Sequence, residues 1–222
     1  DRNSIAVVLV GVVLLALGPV LPSWAVSLLN VALCYGTVVL GMMLLMRTGI
    51  VSFGHGLYYC LGAYAAGLLD HFGKMPDMLL MVGAGAVTAG LVAAVLGLLL
   101  AKYRDIFFAM LSLAFSMILY GLLVKTASLG STDGFNVAAK TVGGIVIAED
   151  SVRIVVYSLA VVFATLSAFL LHQYLASHQG RLAGAIKDNE LRVEYMGASV
   201  KAAVHRNYVI SAVLAGIGGA LM

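Results

Sequence analysis

Long stretches of apolar residues, separated by short polar segments, dominate this sequence. Stretches without Asp, Glu, Lys or Arg cover 3–46, 48–69, 78–101, 106–124, 154–180 and 207–222. About 20 apolar residues in a helix cross the roughly 30 Å hydrocarbon core of a bilayer, whereas buried strands are much shorter. The pattern therefore predicts a series of membrane-spanning helices.

The first stretch is long enough for two crossings, and two prolines divide it. Pro19 and Pro22 lie in 18–23, where they end one helix and suit a turn before the next. The expected helices are 4–21, 24–46, 49–69, 78–101, 106–126 and 152–175, with a seventh starting near 206. The predicted fold class is all-α, a polytopic transmembrane helix bundle with six complete spans plus the start of a seventh. We expect a single domain over 1–222 that is truncated at its C-terminus.

Lysine and arginine fall mainly on one side of the predicted spans. That side carries Arg2, Arg47, Lys102, Arg104, Arg181, Lys187, Arg192, Lys201 and Arg206. The other side carries Lys74, Lys125, Lys140 and Arg153. Because basic residues accumulate in cytoplasmic loops, the N-terminus and the polar segment 176–205 are predicted to be cytoplasmic. The loops 70–77 and 127–151 are then outside.

Composition excludes several classes of protein. Apolar residues make up 62% of the chain and charged residues 10%, against about 25% charged in typical soluble domains. An ordinary soluble enzyme, a disordered segment and a nucleic-acid binder are therefore excluded, and the net charge of +3 is too small to indicate a polyanion ligand. The sequence has no phosphate-binding Gly-rich loop and no metal-ligand spacing, so neither nucleotide hydrolysis nor a metal site is expected. Cys34 and Cys60 lie in apolar runs and are expected to be small buried hydrophobes.

Polar side chains cluster among glycines at the start of the third predicted helix. Ser52, His55, Tyr58 and Tyr59 occur there within an otherwise apolar run. Ionisable groups inside membranes generally face the bundle interior or a water-filled cavity, so these four residues are candidates for a solute pathway. The alternative is that Ser52 and His55 satisfy backbone groups where the glycines loosen the helix.

Segment 176–205 is the most charged part of the chain, and its pattern predicts short helices. Asp188 or Asn189 can cap one of them and Gly197 can end it, while Ser199 can cap the next helix. We expect the apolar residues of this short helix to be exposed together, forming a surface for lipid or for a groove on a partner. Those residues are Leu191, Val193, Tyr195 and Met196.

Small residues recur at helical spacing in the fourth predicted span. They are Gly83, Gly85, Ala86, Gly90, Ala93, Ala94 and Gly97. Small residues let membrane helices approach closely, so this span is expected to pack tightly against neighbours.

Several segments together resemble the bacterial ABC permeases for branched-chain amino acids. They are TGIVSFGHGLYYCLGAY at 48–64, RDIFFA at 104–109 with LSLAF at 111–115, and STDGFN at 131–136. Gly180-Arg181, then AIKDNE at 185–190, Gly197 and ISAVLAG at 210–216 follow in the order and spacing of that family. The resemblance covers nearly all of the chain from about residue 30.

The resemblance implies a permease subunit of an ATP-driven importer in the bacterial inner membrane, not an enzyme. Its partners would be a second permease subunit, two cytoplasmic ATPase subunits and a periplasmic binding protein that delivers branched-chain amino acids. ATP would bind to the ATPases, and this chain would bind no cofactor. Segment 188–197 would be the helix that couples to an ATPase, and the residues assigned to this role are Asp188, Glu190, Leu191, Glu194, Tyr195 and Gly197.

Other functions remain open at the level of sequence. A permease for urea, short amides or a sugar in a related ABC importer would have a similar architecture. Ser52 and His55 in a glycine-rich span would also suit an ion-coupled secondary carrier or a channel that works alone. A structural membrane subunit without a pathway is a further alternative.

Overall fold

The described part of the chain is almost entirely helical. The computed structural model describes residues 2–73, 77–126, 141–142, 145–147 and 151–222. Its helices are α1 (Arg2–Leu17), α2 (Ser23–Arg47), α3 (His55–Gly73), α4 (Met78–Leu100), α5 (Asp105–Lys125), α6 (Val152–Ala176), α7 (His178–Asp188), α8 (Glu190–Tyr195) and α9 (Val200–Ala220). Two short strands, β1 (Thr141–Val142) and β2 (Ile145–Val146), pair antiparallel. The helical fold class is confirmed, with this pair of strands as a small addition. The predicted outer motif at 131–136, Lys74 and Lys140 lie outside the described residues.

Within these ranges, four helices are long and apolar enough to cross a membrane. They are Ser23–Arg47, Met78–Leu100, Ile106–Lys125 and Val152–Ala176, and Ser4–Leu17 is a shorter apolar helix. α3 and α9 are outside this set, and α9 carries the polar residues Lys201, His205 and Arg206 in its first two turns. The chain is therefore a multi-pass helical membrane protein, since several such helices occur in one chain.

The boundary between α1 and α2 lies where the prolines predict it. α1 ends at Leu17, and α2 starts at Ser23 after Pro22, whose φ of −64° and ψ of 153° are extended. Proline has no N–H to donate and its φ is fixed, so it is tolerated at the start of a helix and not inside one. The division of the first apolar stretch into two helices is confirmed.

The predicted start of the third helix at residue 49 is wrong, because α3 begins at His55. Gly49 has a φ of +82° and ends α2. The N–H of Gly49 donates to the carbonyl of Met46, and the N–H of Ile50 donates to the carbonyl of Leu45. This pair of bonds is a Schellman motif, which satisfies the last carbonyls of a helix by turning the chain away from it. Residues 50–54 therefore run as non-helical chain between α2 and α3.

The polar segment 176–205 is helical over most of its length. α7 and α8 occupy 178–195, and α9 starts at Val200, earlier than the expected position near 206. The Ser177 side chain accepts from the N–H of Gly180, and the Ser199 side chain accepts from the N–H of Ala202. Such side-chain acceptors stabilise helix starts, which explains why α9 begins immediately after Ser199.

α9 lies at the centre of the bundle and packs against α2, α3 and α4. These contacts are close because glycines meet backbone atoms across the helix interfaces. A Cβ at Gly62 of α3 would collide with the carbonyl oxygen of Gly216, and one at Gly41 of α2 would lie 2.6 Å from that of Ser211. The predicted close packing of small residues is therefore realised mainly around α9.

α7 and α8 cover one end of the bundle, together with the end of α2 and the turn between α4 and α5. We call this the α8 end, defined by residues 47–50, 101–105 and 177–200. Ile186 of α7 and Val193 of α8 are buried in the same apolar cluster as Leu100 and Phe108. The short helices are thus part of the packed core and do not project freely from it.

Candidate functional site

The chain between α2 and α3 carries the first of the candidate pathway residues, Ser52. Its hydroxyl is buried and accepts from the N–H of Gly54 at 3.3 Å. The N–H of Phe53 donates to the Ser112 hydroxyl of α5 at 3.2 Å. Serine side chains therefore satisfy two of the backbone donors that this non-helical segment exposes.

His55 and Tyr58 face α9. The Nε2 of His55 and the hydroxyl of Ser211 share a hydrogen bond of 2.5 Å. One turn further along α3 and one turn earlier in α9, the Tyr58 hydroxyl donates to the Tyr208 hydroxyl at 2.7 Å. All four side chains are buried. They form two successive polar contacts across an interface that is otherwise built from small and apolar residues.

Tyr59 lies on a different side of α3 from this pair. Its ring stacks on Tyr35 of α2, with centroids 5.5 Å apart and an interplanar angle of 20°. The Tyr59 hydroxyl is buried and has no hydrogen-bond partner among the described residues. Tyr35 itself is half exposed. The structure therefore places His55 and Tyr58 against α9, and Tyr59 against α2.

Tyr208 and Ser211 were missed by sequence reasoning although they contact two of the candidate residues. Their spacing of three residues puts both on one face of a helix, which is the signal that could have identified them. Asn207 is a further missed residue, since its Nδ2 donates to the Thr48 hydroxyl at 3.3 Å and its Oδ1 accepts from the Tyr174 hydroxyl at 2.6 Å. Polar residues within about one turn of α9 thus reach the C-cap of α2, and the helices α3 and α6.

α8 is capped at both ends as the sequence predicts. The Asn189 side chain accepts from the N–H of Arg192 at 3.0 Å. Gly197 has a φ of +84°, and its N–H donates to the carbonyl of Glu194. The N–H of Ala198 donates to the carbonyl of Val193, which completes a second Schellman motif. Of the two predicted caps, Asn189 is therefore the one used.

The apolar residues of α8 divide between two faces, so the expectation that all four are exposed is wrong for one of them. Leu191 is 65% exposed, Tyr195 89% and Met196 68%, whereas Val193 is 1% exposed. Val193 is buried because it lies two residues after Leu191, on the face of α8 that meets the bundle. The remaining three residues leave a solvent-facing apolar surface on a helix at the end of the bundle.

Glu190 also faces the bundle. Its carboxylate accepts from Nε of Arg104 at 3.1 Å on each oxygen, and from Nη2 at 2.9 Å. Nη1 of Arg104 donates to the carbonyls of Ala101 and Tyr103. Of the six residues assigned to ATPase coupling, Glu190 is thus held by the chain itself. Asp188, Leu191, Glu194, Tyr195 and Gly197 are exposed.

A cavity of about 390 Å³ lies between α3, α4, α6 and α9, at the opposite end from α8. Its lining is mostly apolar and includes Met78, Met81, Val156 and Leu159. None of the four candidate pathway residues lines it. Among the residues that the structure describes, no three His, Cys, Asp or Glu side chains are grouped so that they could hold a metal ion.

Comparison with known proteins connects this architecture to transport. Residues 24–222 match the family model described as "Branched-chain amino acid transport system / permease component". The chain is 26% identical over 204 residues to the high-affinity branched-chain amino acid transport system permease protein LivM of Escherichia coli K12. It is 25% identical over 196 residues to LivM of Salmonella typhimurium. Each match covers 78% of this chain and 46% of the relative, so the chain spans about half the length of these curated relatives. No solved structure matches the chain significantly.

The family match covers nearly the whole of the described helical bundle, from the second residue of α2 to the last residue. A family of permeases also agrees with a chain whose apolar helices are long enough to cross a membrane. Transport subunits of this kind are not enzymes. This chain therefore belongs to the family of permease components of branched-chain amino acid transport systems.

Proposed function

We propose that the chain is the permease subunit of an ATP-binding-cassette importer for branched-chain amino acids in the bacterial inner membrane. A periplasmic binding protein delivers the solute, a second permease subunit completes the pathway, and two cytoplasmic ATPase subunits bind and hydrolyse ATP. In this proposal α1 to α6 and α9 cross the membrane, and the α8 end is cytoplasmic. Family membership and the similarity to the LivM permeases support the solute class.

The observation that carries the proposal is the two-faced packing of α8. Val193 is buried in the main apolar cluster, while Leu191 and Tyr195 point away from the bundle. A six-residue helix with little stability of its own is held by the core and presents a leucine and a tyrosine to whatever lies outside. Tyrosine is among the residues that contribute most at protein interfaces. This arrangement suits a helix that docks into a groove on an ATPase.

Ser52, His55, Tyr58 and Tyr59 are the residues we propose for the solute pathway. In this structure His55 and Tyr58 are closed off by Ser211 and Tyr208 of α9. Exposure of their polar groups to a solute therefore requires α9 to move relative to α3. Because α9 begins directly after α8 and Ser199, a displacement of α8 acts on α9 through only four intervening residues.

The proposal is tested by changing Leu191→Glu together with Tyr195→Glu. Loss of two interface anchors costs on the order of 2 kcal/mol or more, which corresponds to roughly 30-fold weaker ATPase binding. The measurement is ATP-driven uptake of leucine into proteoliposomes that contain the complete transporter, with co-purification of the ATPase subunits. Both should fall, while insertion of the chain into membranes is unchanged.

The matched control is Gln179→Glu together with Ala202→Glu, which adds the same charge at two exposed positions outside α8, one in α7 and one in the first turn of α9. This control should retain uptake and co-purification. Normal ATP-driven uptake in the Leu191 and Tyr195 variant would contradict the docking role of α8. Uptake by the purified chain without any ATPase would support an ion-coupled carrier or a channel instead, and preferential uptake of urea, an amide or a sugar would reassign the solute.

A further inference from the structure

We propose that Arg104 is a positioning residue that fixes α8 against the ends of α4 and α5, and so passes the movement of α8 to the pathway segment before α3. The inference rests on the proposed function, because it assumes that α8 is the element on which an ATPase acts. It concerns a residue of the α4–α5 turn, outside the docking helix itself.

The guanidinium of Arg104 joins α8 to the turn between α4 and α5. Nε and Nη2 hold the Glu190 carboxylate through three contacts of 2.9 to 3.1 Å. Nη1 donates to the carbonyls of Ala101 and Tyr103, at 2.7 and 3.0 Å, and so ties down the turn that ends α4. A planar fork that uses both edges in this way restricts orientation as well as distance, which a lysine cannot do.

The two inward contacts of α8 determine where its outward face points. Glu190 and Val193 are three residues apart and share the face that meets the bundle, while Leu191 and Tyr195 are four apart and share the opposite face. Val193 is the one buried residue of α8, so without the ion pair a single buried side chain would orient the helix against the bundle. The ion pair supplies the second fixed point, and therefore orients Leu191 and Tyr195.

The same arginine stands directly before α5, which contacts the pathway segment. The Ser112 hydroxyl of α5 accepts from the N–H of Phe53, and a Cβ at Gly54 would lie only 2.6 Å from the carbonyl oxygen of Ser112. A shift of α5 therefore also displaces residues 52–54. The contacts run continuously from Glu190 through Arg104 and α5 to the segment that carries Ser52 and leads into His55.

The test compares Arg104→Gln, Glu190→Gln and the charge exchange Arg104→Glu with Glu190→Arg. Each single change should lower ATP-driven leucine uptake by about fivefold or more, the lower end of typical coupling between sites, with the ATPase subunits still co-purifying. The charge exchange should restore part of the uptake, because it re-forms the ion pair but a carboxylate at position 104 cannot donate to the carbonyls of Ala101 and Tyr103. Lys102→Gln removes the same charge from an exposed side chain in the same turn and should have no effect.

A second measurement separates this inference from the proposed function. Chymotrypsin cleaves after Tyr195, and its rate in lipid nanodiscs, where both sides are accessible, reports how often α8 leaves the bundle. Both single variants should be cleaved faster than the unchanged chain, and the charge exchange should be cleaved more slowly than either single variant. Unchanged cleavage and uptake in the single variants would overturn the inference, as would a charge exchange that restores neither.

If no ATPase co-purifies with the unchanged chain, the proposed function is wrong. The cleavage rates then decide by themselves whether Arg104 positions α8: faster cleavage in the single variants supports it, and equal rates overturn it.

Discussion

Single glycines with positive φ determine where two helices of the α8 end stop. Gly49 and Gly197 have φ values of +82° and +84°, a region in which a side chain clashes with the following carbonyl. Each is followed by a residue whose N–H bonds back to the third residue from the helix end. These two positions therefore fix the directions in which the chain leaves α2 and α8.

Replacement of Gly197 isolates this backbone effect. A Cβ at Gly197 would meet nothing within 4 Å, so Gly197→Ala should cost about 1–2 kcal/mol from the left-handed conformation alone. Gly184→Ala is the matched control, since that glycine lies inside α7 with equally open surroundings, and alanine should there be neutral or stabilising by up to about 1 kcal/mol. The unfolding temperatures of both variants are measured by heating, with the reaction of the buried Cys34 with a fluorescent maleimide as the signal of unfolding. Equal unfolding temperatures would contradict this explanation.

Polar residues in the bundle act as specific contacts between helices. His55 with Ser211 and Tyr58 with Tyr208 join α3 to α9, and Asn207 connects α9 to Thr48. Most buried polar side chains in proteins are hydrogen-bonded, because an unpaired polar group in apolar surroundings is costly. Their pairing therefore specifies the register of α9 against its neighbours.

At the scale of whole elements, close approach of backbones holds α9 in place. Gly216 of α9 faces both Gly62 of α3 and Gly85 of α4. Without a hydrophobic driving force between helices in lipid, packing of this kind supplies much of the association. The small residues predicted in α4 do not all contribute to this packing. Gly85 and Gly97 contact α9, whereas Gly83 faces open space.

Gly62→Ala tests the contribution of this contact. The added methyl group would collide with the backbone oxygen of Gly216, which cannot move without displacing α9. We expect a loss of about 1–3 kcal/mol in stability, as for other overpacked sites. Gly36→Ala in α2 has nothing within 4 Å of its Cβ and should not destabilise. The measurement is the unfolding temperature of each variant in the same detergent. A smaller loss of stability for Gly62→Ala than for Gly36→Ala would contradict the packing model.

For the whole molecule, the distribution of basic residues sets the expected orientation in the membrane. The α8 end contains Arg47, Lys102, Arg104, Arg181 and Lys187, whereas Lys125 and Arg153 lie at the other end of α5 and α6. Because lysine and arginine favour the cytoplasmic side, the α8 end is predicted to face the cytoplasm, where ATPase subunits would reach it.

Labelling of introduced cysteines measures this orientation. In a chain with Cys34 and Cys60 replaced by alanine, Gln179→Cys and Ser151→Cys mark the two ends of α6. A membrane-impermeant maleimide should label Ser151→Cys in intact spheroplasts and should label Gln179→Cys only after permeabilisation. The reverse pattern would place the α8 end outside and would remove the basis for ATPase coupling.

The sequence by itself determined the helical class, the division at Pro19 and Pro22, a cap of α8 at Asp188 or Asn189, the cap at Ser199, and the stop at Gly197. These features depend on local chemistry: apolar length, ring geometry, side-chain acceptors and glycine φ. The motifs were sufficient to predict the family, and the match of the family model over 24–222 confirms this prediction.

The tertiary structure alone decided which residues meet. Runs of apolar residues contain no information on the partner of each face, so the burial of Val193, the Arg104–Glu190 pair and the polar contacts of α9 could not be predicted. The start of α3 at His55 also depended on its surroundings, because Ser112 from α5 satisfies the non-helical chain before it. Partners distant in sequence become neighbours only when the helices pack, and for that reason the candidate site was predicted residue by residue but not as an arrangement.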